Sequence, residues 1–166
     1  MSTGFRVFNV KFQTYNLFHP KLPTYTPHGY EDTCHVDAAW KRETGTCGVG
    51  GIFRGPNCTS LPTIRYHRRY TSSALIAEAL AVRSAVMMAA SSNIQSLTVF
   101  SDSSVLISLL KTKESRPALY GIMFDIYHLC RLFDTISFCY VPRLQNTEAD
   151  EVAKSALLCA DVPPME

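Results

Sequence analysis

The sequence predicts an α/β fold in which helices pack on the faces of a mixed β-sheet. Three strand-like segments separated by turn signals come first, and they favour an antiparallel meander. Helical and strand-like segments then alternate, which is typical of helices that cover a sheet. The 166 residues suit one domain. A chain of this size buries roughly 70% of its extended surface without needing disulfides or metals.

The three strands of the meander are expected over residues 34–40, 46–54 and 63–70. A turn-rich segment separates the first two strands, which predicts a hairpin. In the third strand, Ile64 and Tyr66 alternate with basic residues, as one buried and one exposed strand face require. Three adjacent antiparallel strands are therefore expected.

Helices and strands are then expected in alternation. Their spans are 73–91 (helix), 97–101 (strand), 103–111 (helix), 118–133 (helix), 136–140 (strand) and 146–160 (helix). In the first of these helices, apolar residues recur at helical spacing from Leu75, and Ser72 or Ser73 can cap its free N–H groups. Asn146 is expected to cap the last helix, after a loop over residues 142–145.

Residues 1–30 differ in composition from the predicted domain, which spans residues 31–162. They contain basic residues and no acidic residue, and Pro and Gly cluster in their second half. We interpret them as an N-terminal extension or linker. A lack of acids is also typical of organelle transit peptides, but this segment is poor in Ser and has no helical stripe.

Composition limits the function classes. Sixteen Lys and Arg against fourteen Asp and Glu give a net charge of +2, which excludes a polybasic protein. The six cysteines form no Cys-x-x-Cys pair, so we expect free thiols in a reducing intracellular compartment, the nucleus or cytoplasm. Apolar runs fall far short of the ~20 residues that span a bilayer, so no membrane association is expected. A monomer without a small-molecule cofactor is expected.

Two acidic residues interrupt apolar segments. Asp37 lies mid-strand, where a buried and unpaired charge is costly, and the small residues Ala38 and Ala39 leave room for a large group beside it. Glu78 is the only charge within residues 71–82, and it borders the core-facing stripe of its helix. The structural alternatives are a water-facing acid on an edge strand and a helix-start acid favoured by the helix dipole.

Two further acids lie at the ends of predicted elements. Asp102 follows a short apolar strand and precedes a helix, where ligand sites of α/β sheets commonly lie. Asp150 lies in the second turn of the last helix, beside its apolar stripe. The structural alternatives are a plain N-cap for Asp102 and an ordinary helix-start acid for Asp150.

The four acids together are more informative than any one of them. If the first and fourth strands are neighbours at the centre of the sheet, all four can converge on one point. Carboxylates about 4 Å apart repel strongly in a partly desolvated site, so they need hard cations such as Mg²⁺. Two such ions suit in-line displacement at phosphorus, one activating water and the other stabilising the leaving oxygen.

At these residues the sequence resembles the type 1 ribonuclease H family, and most of all the plant subgroup found in non-LTR retrotransposon reverse transcriptases and related host proteins. The matching segments are Cys-His-Val-Asp-Ala-Ala-Trp (34–40), Ser-Ser-Ala-Leu-Ile-Ala-Glu-Ala-Leu-Ala-Val (72–82), Val-Phe-Ser-Asp-Ser (99–103) and Val-Pro-Arg-Leu-Gln-Asn-Thr-Glu-Ala-Asp-Glu-Val-Ala (141–153). The similarity covers about residues 26–160. The four motifs occur in the family's order.

The resemblance implies the ribonuclease H-like fold, a five-stranded mixed sheet of strand order 3-2-1-4-5 with helices on both faces. It also implies an endonuclease that hydrolyses the RNA strand of RNA–DNA hybrids by a two-metal mechanism, leaving 3′-hydroxyl and 5′-phosphate ends. The implied cofactors are two Mg²⁺ ions, with Mn²⁺ as a substitute. The family's catalytic, metal-binding carboxylates carry over onto Asp37, Glu78, Asp102 and Asp150.

The loop before the last helix departs from the family. Many members have a His or Glu there that assists proton transfer and product release, whereas residues 142–145 contain neither. Arg143 fits the subgroup's Arg-x-x-Asn-x-x-Ala-Asp pattern, and by analogy it is a catalytic residue that contacts the scissile phosphate. A locally paired surface arginine is the alternative. Ser73 supplies a hydroxyl for the nucleic-acid backbone, but no amide side chain follows it.

A hybrid duplex is recognised by its shape, its 2′-hydroxyls and its phosphates, so no sequence specificity is expected. The densest basic run lies in the third strand, where it can follow a backbone groove or form a solvated strand face. The residues expected to contact nucleic acid are Ala38, Ala39, Lys41, Arg65, Arg68, Arg69 and Ser73. Trp40 is expected in the core rather than as a stacking platform.

Two functions from different classes remain. The leading hypothesis is an active hybrid endonuclease. The alternative is a domesticated, catalytically weak or inactive module that binds nucleic acid or a protein partner, which the altered loop favours and the four acids oppose. A 3′–5′ exonuclease would need Asp-x-Glu in the first motif, where this chain has Asp37, Ala38 and Ala39. A polynucleotidyl transferase would need larger insertions.

Overall fold

The computed structural model describes residues 31–114 and 116–160. Its strands are β1 Thr33–Lys41, β2 Thr46–Arg54, β3 Ile64–Arg68, β4 Ser96–Ser101 and β5 Thr135–Tyr140. They form one sheet in the order β3-β2-β1-β4-β5, which confirms the predicted topology. β1, β2 and β3 are antiparallel neighbours, and β4 runs parallel to β1 and β5. The predicted extension, residues 1–30, and the end of the predicted domain, residues 161–162, lie outside the described residues.

Helices cover both faces of the sheet, as predicted. Their bounds are α1 Ala74–Ser91, α2 Ser104–Thr112, α3 Tyr120–Cys130 and α4 Thr147–Cys159. α1 packs on β1, β2 and β4 and also contacts α2 and α3. α4 packs on β1, β2 and β3. The sheet therefore lies between a layer of three helices and the single helix α4.

α4 lies close against β2 because two glycines face it. A Cβ on Gly48 would collide with the backbone of Ala153, and one on Gly50 with the backbone of Ala149. Side chains alternate between faces along a strand, so the buried Val49 points to the opposite face, into the core. The glycines thereby bring the first turns of α4 against the centre of the sheet.

α1 is the main core helix. By length and mean hydropathy alone it could cross a bilayer, with a value of 1.5 over 18 residues. A core helix has the same properties, and Ala79, Val82 and Val86 of α1 are buried inside the domain. Burying a valine side chain stabilises a fold by roughly 1.5–3 kcal/mol, so this helix contributes strongly to holding the sheet in place.

Element boundaries differ from the sequence predictions at several places, including the end of α3, which lies at Cys130 rather than at residue 133. β3 ends at Arg68, because Tyr70 has a left-handed backbone conformation with a φ of 60°. Pro117–Leu119 form a 3₁₀ turn, so α3 starts at Tyr120, later than predicted. Arg143–Gln145 also form a 3₁₀ turn, where the sequence predicts a loop.

The predicted cap of α4 is half correct. Asn146 occupies the N-cap position, but its side chain makes no capping hydrogen bond. An N-cap side chain reaches the helix N–H groups from an extended backbone, as Ser73 does at α1 with φ −157° and ψ 160°. Asn146 has φ −118° and ψ 20° instead, and its amide donates to the carbonyl of Val36 in β1 at 2.8 Å.

The cysteines are free, as their spacing predicts. The buried ones are Cys34, Cys47, Cys58, Cys130 and Cys139, and Cys159 is exposed. Burial raises the pKa of Cys130 to about 12. The buried thiols therefore act as small apolar side chains of the core.

Candidate active site

Asp37 lies in the middle of β1, one residue beyond the part of the strand that pairs with β4, and it is almost completely buried, with 3% of the residue exposed. Its Oδ1 accepts a hydrogen bond from the backbone N–H of Ala38 at 2.8 Å. In the antiparallel pair with β2 it stands opposite Gly50, which has no side chain to compete for the space. A carboxylate in this position is desolvated and needs a positive partner.

Glu78 lies in the second turn of α1. The hydroxyl of Ser73 caps this helix by accepting the N–H of Ile76 at 3.2 Å, which fixes where the helix begins and therefore where Glu78 points. The Oε2 atom of Glu78 is buried and has no hydrogen-bond partner among the described residues. Leaving a buried carboxylate oxygen unpaired is unfavourable, so this atom is available to a ligand such as a cation.

Asp102 directly follows β4, at the start of α2. β4 pairs in parallel with β1 and matches Ser101 to Val36, so the next residues along the two strands, Asp102 and Asp37, are neighbours. Ser103 caps α2 by accepting the N–H of Leu106 at 3.4 Å. Because Ser103 provides the cap, the carboxylate of Asp102 is free to face Asp37.

Three of the four predicted acids form a tight cluster. One ligand oxygen from each of Asp37, Glu78 and Asp102 lies within 4.8 Å of the other two. Burial, followed by the charge of Asp102, raises the pKa of Asp37 to about 6. Burial, followed by the charges of Asp37 and Asp102, raises the pKa of Glu78 to about 9. Burial also raises the pKa of Asp102, although the charge of Arg143 opposes it.

The fourth acid, Asp150, lines the same cavity but has different partners. Its carboxylate pairs with Lys154, one helical turn further along α4, and lies 3.5 Å from a guanidinium nitrogen of Arg143. Burial raises the pKa of Asp150, but the hydrogen bond and charge of Lys154 and the charge of Arg143 outweigh it, and the pKa is lowered. Asp150 is therefore ionised and paired with cations, and it still lies close enough to the other acids for its charge to raise the pKa values of Asp37 and Asp102.

All four acids line one cavity, which has a volume of about 830 Å³. Its lining includes Ala38 and Ala39, whose small side chains leave the predicted room beside Asp37. The other lining residues are Asp37, Trp40, Ala74, Leu75, Glu78, Asp102, Ser103, Val105, Arg116, Arg143, Asp150, Lys154 and Leu157. A cavity with acids at its base and cations at its rim suits a phosphate backbone bound through metal ions.

Sequence reasoning did not assign several residues of this cavity to the site, and two of them, Lys154 and Trp40, bear on its chemistry. Lys154 follows Asp150 by four residues, and this spacing on a helix is a signal for an ion pair that could have been read from the sequence. Trp40 packs partly against the core, as expected, but it also lines the cavity. Nothing in the local sequence distinguishes a core tryptophan from one at the edge of a site.

The predicted basic run is divided by the structure. Arg65 donates hydrogen bonds to Ser155 and Cys159 of α4, at 2.9 Å and 3.1 Å. Arg68 ends β3 and Arg69 follows it, and both are exposed. Lys41 ends β1, and the hydroxyl of Ser73 is used as the α1 cap. Of the predicted contacts in and directly after β3, Arg68 and Arg69 are exposed without a hydrogen bond to α4, and they remain available to a ligand.

The sequence matches a protein-family model described as reverse transcriptase-like over residues 35–156, which includes all four acids. The chain belongs to this reverse transcriptase-like family. No match was found among curated protein sequences. The predicted membership in the wider ribonuclease H-like group is confirmed.

Solved structures similar to this family member are ribonucleases H. The N-terminal RNase H domain of Rv2228c from Mycobacterium tuberculosis has 21% sequence identity and a TM-score of 0.70, covering 79% of this chain and 96% of its own. RNase H1 from the archaeon Halobacterium salinarum has 22% identity and a TM-score of 0.65, covering 78% and 98%. LC11-RNase H1 in complex with an RNA/DNA hybrid has 18% identity and a TM-score of 0.61, covering 78% and 99%. These likenesses establish the ribonuclease H fold.

Proposed function

We propose that this family member is a divalent-metal-dependent endonuclease that hydrolyses the RNA strand of RNA–DNA hybrids. The observation that carries the proposal is the cluster of Asp37, Glu78 and Asp102, with an unpartnered buried oxygen on Glu78. Acids this close are tolerated as anions only when cations join them. The ribonuclease H fold and the hybrid bound to LC11-RNase H1 support the choice of substrate.

The donor set fits Mg²⁺. Carboxylate oxygens are hard ligands, and no sulfur or imidazole belongs to the cluster of described acids. We assign the ligands to Asp37, Glu78 and Asp102, with Asp150 as a further ligand, for two Mg²⁺ ions that Mn²⁺ can replace. When bound, such ions activate water and stabilise the leaving oxygen of a phosphodiester.

The protein's own groups orient the substrate. The side chain of Arg143 reaches from the 3₁₀ turn before α4 towards Asp150, at the mouth of the cavity. From there its guanidinium can bind the scissile phosphate through charge-assisted hydrogen bonds. The small side chains of Ala38 and Ala39 admit the backbone to the acids. Exposed Arg68 and Arg69 can contact phosphates further along the duplex.

A second candidate function is a module of the same fold that binds hybrid duplex without cutting it. Two observations favour it. The turn before α4 offers Arg143, Leu144 and Gln145 but no His or Glu for proton transfer. The hydroxyl of Ser73 is engaged as a helix cap. The buried free thiols also support our inference that either activity takes place in a reducing intracellular compartment.

One experiment separates the two functions. Purified protein is incubated with an RNA–DNA hybrid, duplex DNA and duplex RNA, each with Mg²⁺, Mn²⁺ or EDTA. The endonuclease predicts cleavage of the RNA strand of the hybrid alone, only with metal, and loss of cleavage in Asp102→Asn. Hybrid binding without metal-dependent cleavage would select the binding module. Cleavage of duplex DNA or duplex RNA at a similar rate would contradict the proposed substrate.

A further inference from the structure

Tyr70 combines two unusual properties. The residue is 94% exposed, the largest exposed fraction among the large apolar residues of the described part of the chain. Its backbone lies in the left-handed region at a φ of 60°, a conformation that residues with a Cβ rarely adopt. Such strain persists only where the surroundings enforce it, and it often marks functional positions.

The next residue, Thr71, enforces this conformation. Thr71 is buried, with 2% exposed, and its N–H donates to the carbonyl of Gly45 at 2.7 Å. Its own carbonyl accepts the indole N–H of Trp40 at 2.8 Å, and its hydroxyl lies 3.3 Å from the sulfur of Cys47. The backbone at Tyr70 is therefore held from one side by the first hairpin, while its ring stays in water.

Tyr70 does not line the cavity of the carboxylates itself, but it is connected to that cavity through Thr71 and Trp40. β3 runs in the same direction as β1, so the carboxyl ends of both strands lie at the same edge of the sheet. Trp40, which holds Thr71 in place, lines the cavity of the carboxylates. Three residues after Tyr70, Ser73 caps the helix that carries Glu78. The backbone of Tyr70 is thus linked, through Thr71 and Trp40 on one side and Ser73 on the other, to the elements that carry the acids.

The charges around Tyr70 suit a nucleic-acid backbone. Arg68 and Arg69 precede it, and Arg42 lies in the turn of the first hairpin; all three side chains are exposed. No ion pair joins any of these arginines to another residue in the described part of the chain. A polyanion that occupies the carboxylate cavity therefore meets unneutralised cations and an aromatic ring on this side.

We propose that Tyr70 is a substrate-binding residue whose ring packs against the sugar–phosphate backbone of the bound duplex, next to the carboxylate cavity. The inference rests on the proposed function, because it assumes that the cavity binds nucleic acid. The bases of a duplex stack on one another, so a ring outside the stack contacts sugars, while its hydroxyl can donate to a phosphate. A ring held by a rigid backbone loses little entropy on binding.

The test compares three variants for binding and stability. Tyr70→Asn removes the ring and suits a left-handed backbone, so we expect an unchanged or higher Tm together with hybrid binding weakened about five- to tenfold. Tyr70→Phe keeps the ring, and we expect its Kd to stay within about twofold of wild type. Leu132→Asn, at another exposed apolar residue beside the amino end of β5, is the matched control and should bind as wild type does.

Binding is measured by fluorescence anisotropy of a labelled RNA–DNA hybrid with Ca²⁺ in place of Mg²⁺, so the measurement does not require cleavage. Equal Kd values for Tyr70→Asn and wild type would overturn the proposal, and so would a Tyr70→Phe variant as weak as Tyr70→Asn. If wild type binds the hybrid but never cuts it, weaker binding by Tyr70→Asn still supports the proposal, although the proposed nuclease function fails. Absence of binding by wild type would overturn both.

Discussion

The side-chain amide of Asn146 donates a hydrogen bond to the backbone carbonyl of Val36 at 2.8 Å, joining the start of α4 to the residue before Asp37. Asn146 is buried, with 2% exposed, and its backbone carbonyl accepts the N–H of Asp150 at 3.1 Å. One residue therefore connects the strand of Asp37 to the helix of Asp150. Since these acids are far apart along the chain, this contact helps to fix their relative position.

Replacing Asn146 by Ala should lower both stability and activity. The variant loses a buried hydrogen bond and leaves the α4 start less well held, so we expect a loss of about 1–3 kcal/mol in the free energy of unfolding. We also expect a lower kcat, because Asp150 is no longer held in register with Asp37. Urea unfolding and steady-state cleavage measure the two effects. Gln145→Ala, at the exposed neighbour, should change neither, and equal stability of both variants would contradict the role of Asn146.

Neutralising one clustered acid should lower activity strongly but stabilise the metal-free fold. Asp102→Asn removes a proposed metal ligand. We expect kcat to fall by about a hundredfold or more, which is the size of effect typical for the loss of a catalytic acid, base or metal ligand. The same change removes repulsion from Asp37 and Glu78, so Tm in EDTA should rise. Calorimetry in EDTA and hybrid cleavage with Mg²⁺ check both parts. Glu148→Gln, an exposed acid paired with Arg54, is the control that should keep its activity.

The metal-free protein should lose stability as the pH rises. In the unfolded chain the carboxyl groups of Asp37 and Glu78 titrate near pH 4, about their ordinary pKa. In the native state the pKa of Asp37 is about 6 and that of Glu78 about 9. Between the unfolded and native values the native state binds more protons, so its stability falls with increasing pH. Asp150, with its lowered pKa, acts in the opposite sense only in more acidic solution.

We therefore expect Tm in EDTA to decrease from about pH 5 to about pH 9, and Mg²⁺ to reduce the decrease because bound cations favour the ionised acids. Differential scanning calorimetry across this range measures both curves. Glu78→Gln should remove most of the decrease, since the largest raised pKa is gone. A Tm in EDTA that increases steadily over this range would be inconsistent with the crowded cluster.

Lys154 should compete with metal ions for Asp150. Its ammonium group pairs with this carboxylate inside the cavity, and Lys154→Met would remove that positive charge. Removing one charge near the protein surface should increase the affinity for Mg²⁺ only slightly. We expect the Mg²⁺ concentration for half-maximal binding to be about two- to fivefold lower in Lys154→Met than in wild type. Isothermal titration of Mg²⁺ into the metal-free protein measures it. Lys154→Arg keeps the charge and should behave as wild type does, while weaker Mg²⁺ binding in Lys154→Met would refute the competition.

Most of the architecture could be predicted from local pattern. Alternating residues around Ile64 indicated a strand, the apolar stripe of α1 a helix, and Ser73 its start, because each signal depends on neighbours within one or two turns of chain. Strand order came from resemblance to a known family rather than from periodicity. Boundaries at Pro117 and Tyr70 were missed because a single backbone conformation decides them.

By itself, the sequence determined which elements form and that four acids sit at unusual positions in them. Only the tertiary structure decided how those acids differ: three crowd together, while Asp150 turns towards Lys154 and Arg143. It also decided that Asn146 bonds to Val36, 110 residues away, instead of capping its own helix. The physical reason is that local pattern reports the burial and periodicity of a residue, whereas the choice among competing partners depends on distances that exist only after the chain has folded.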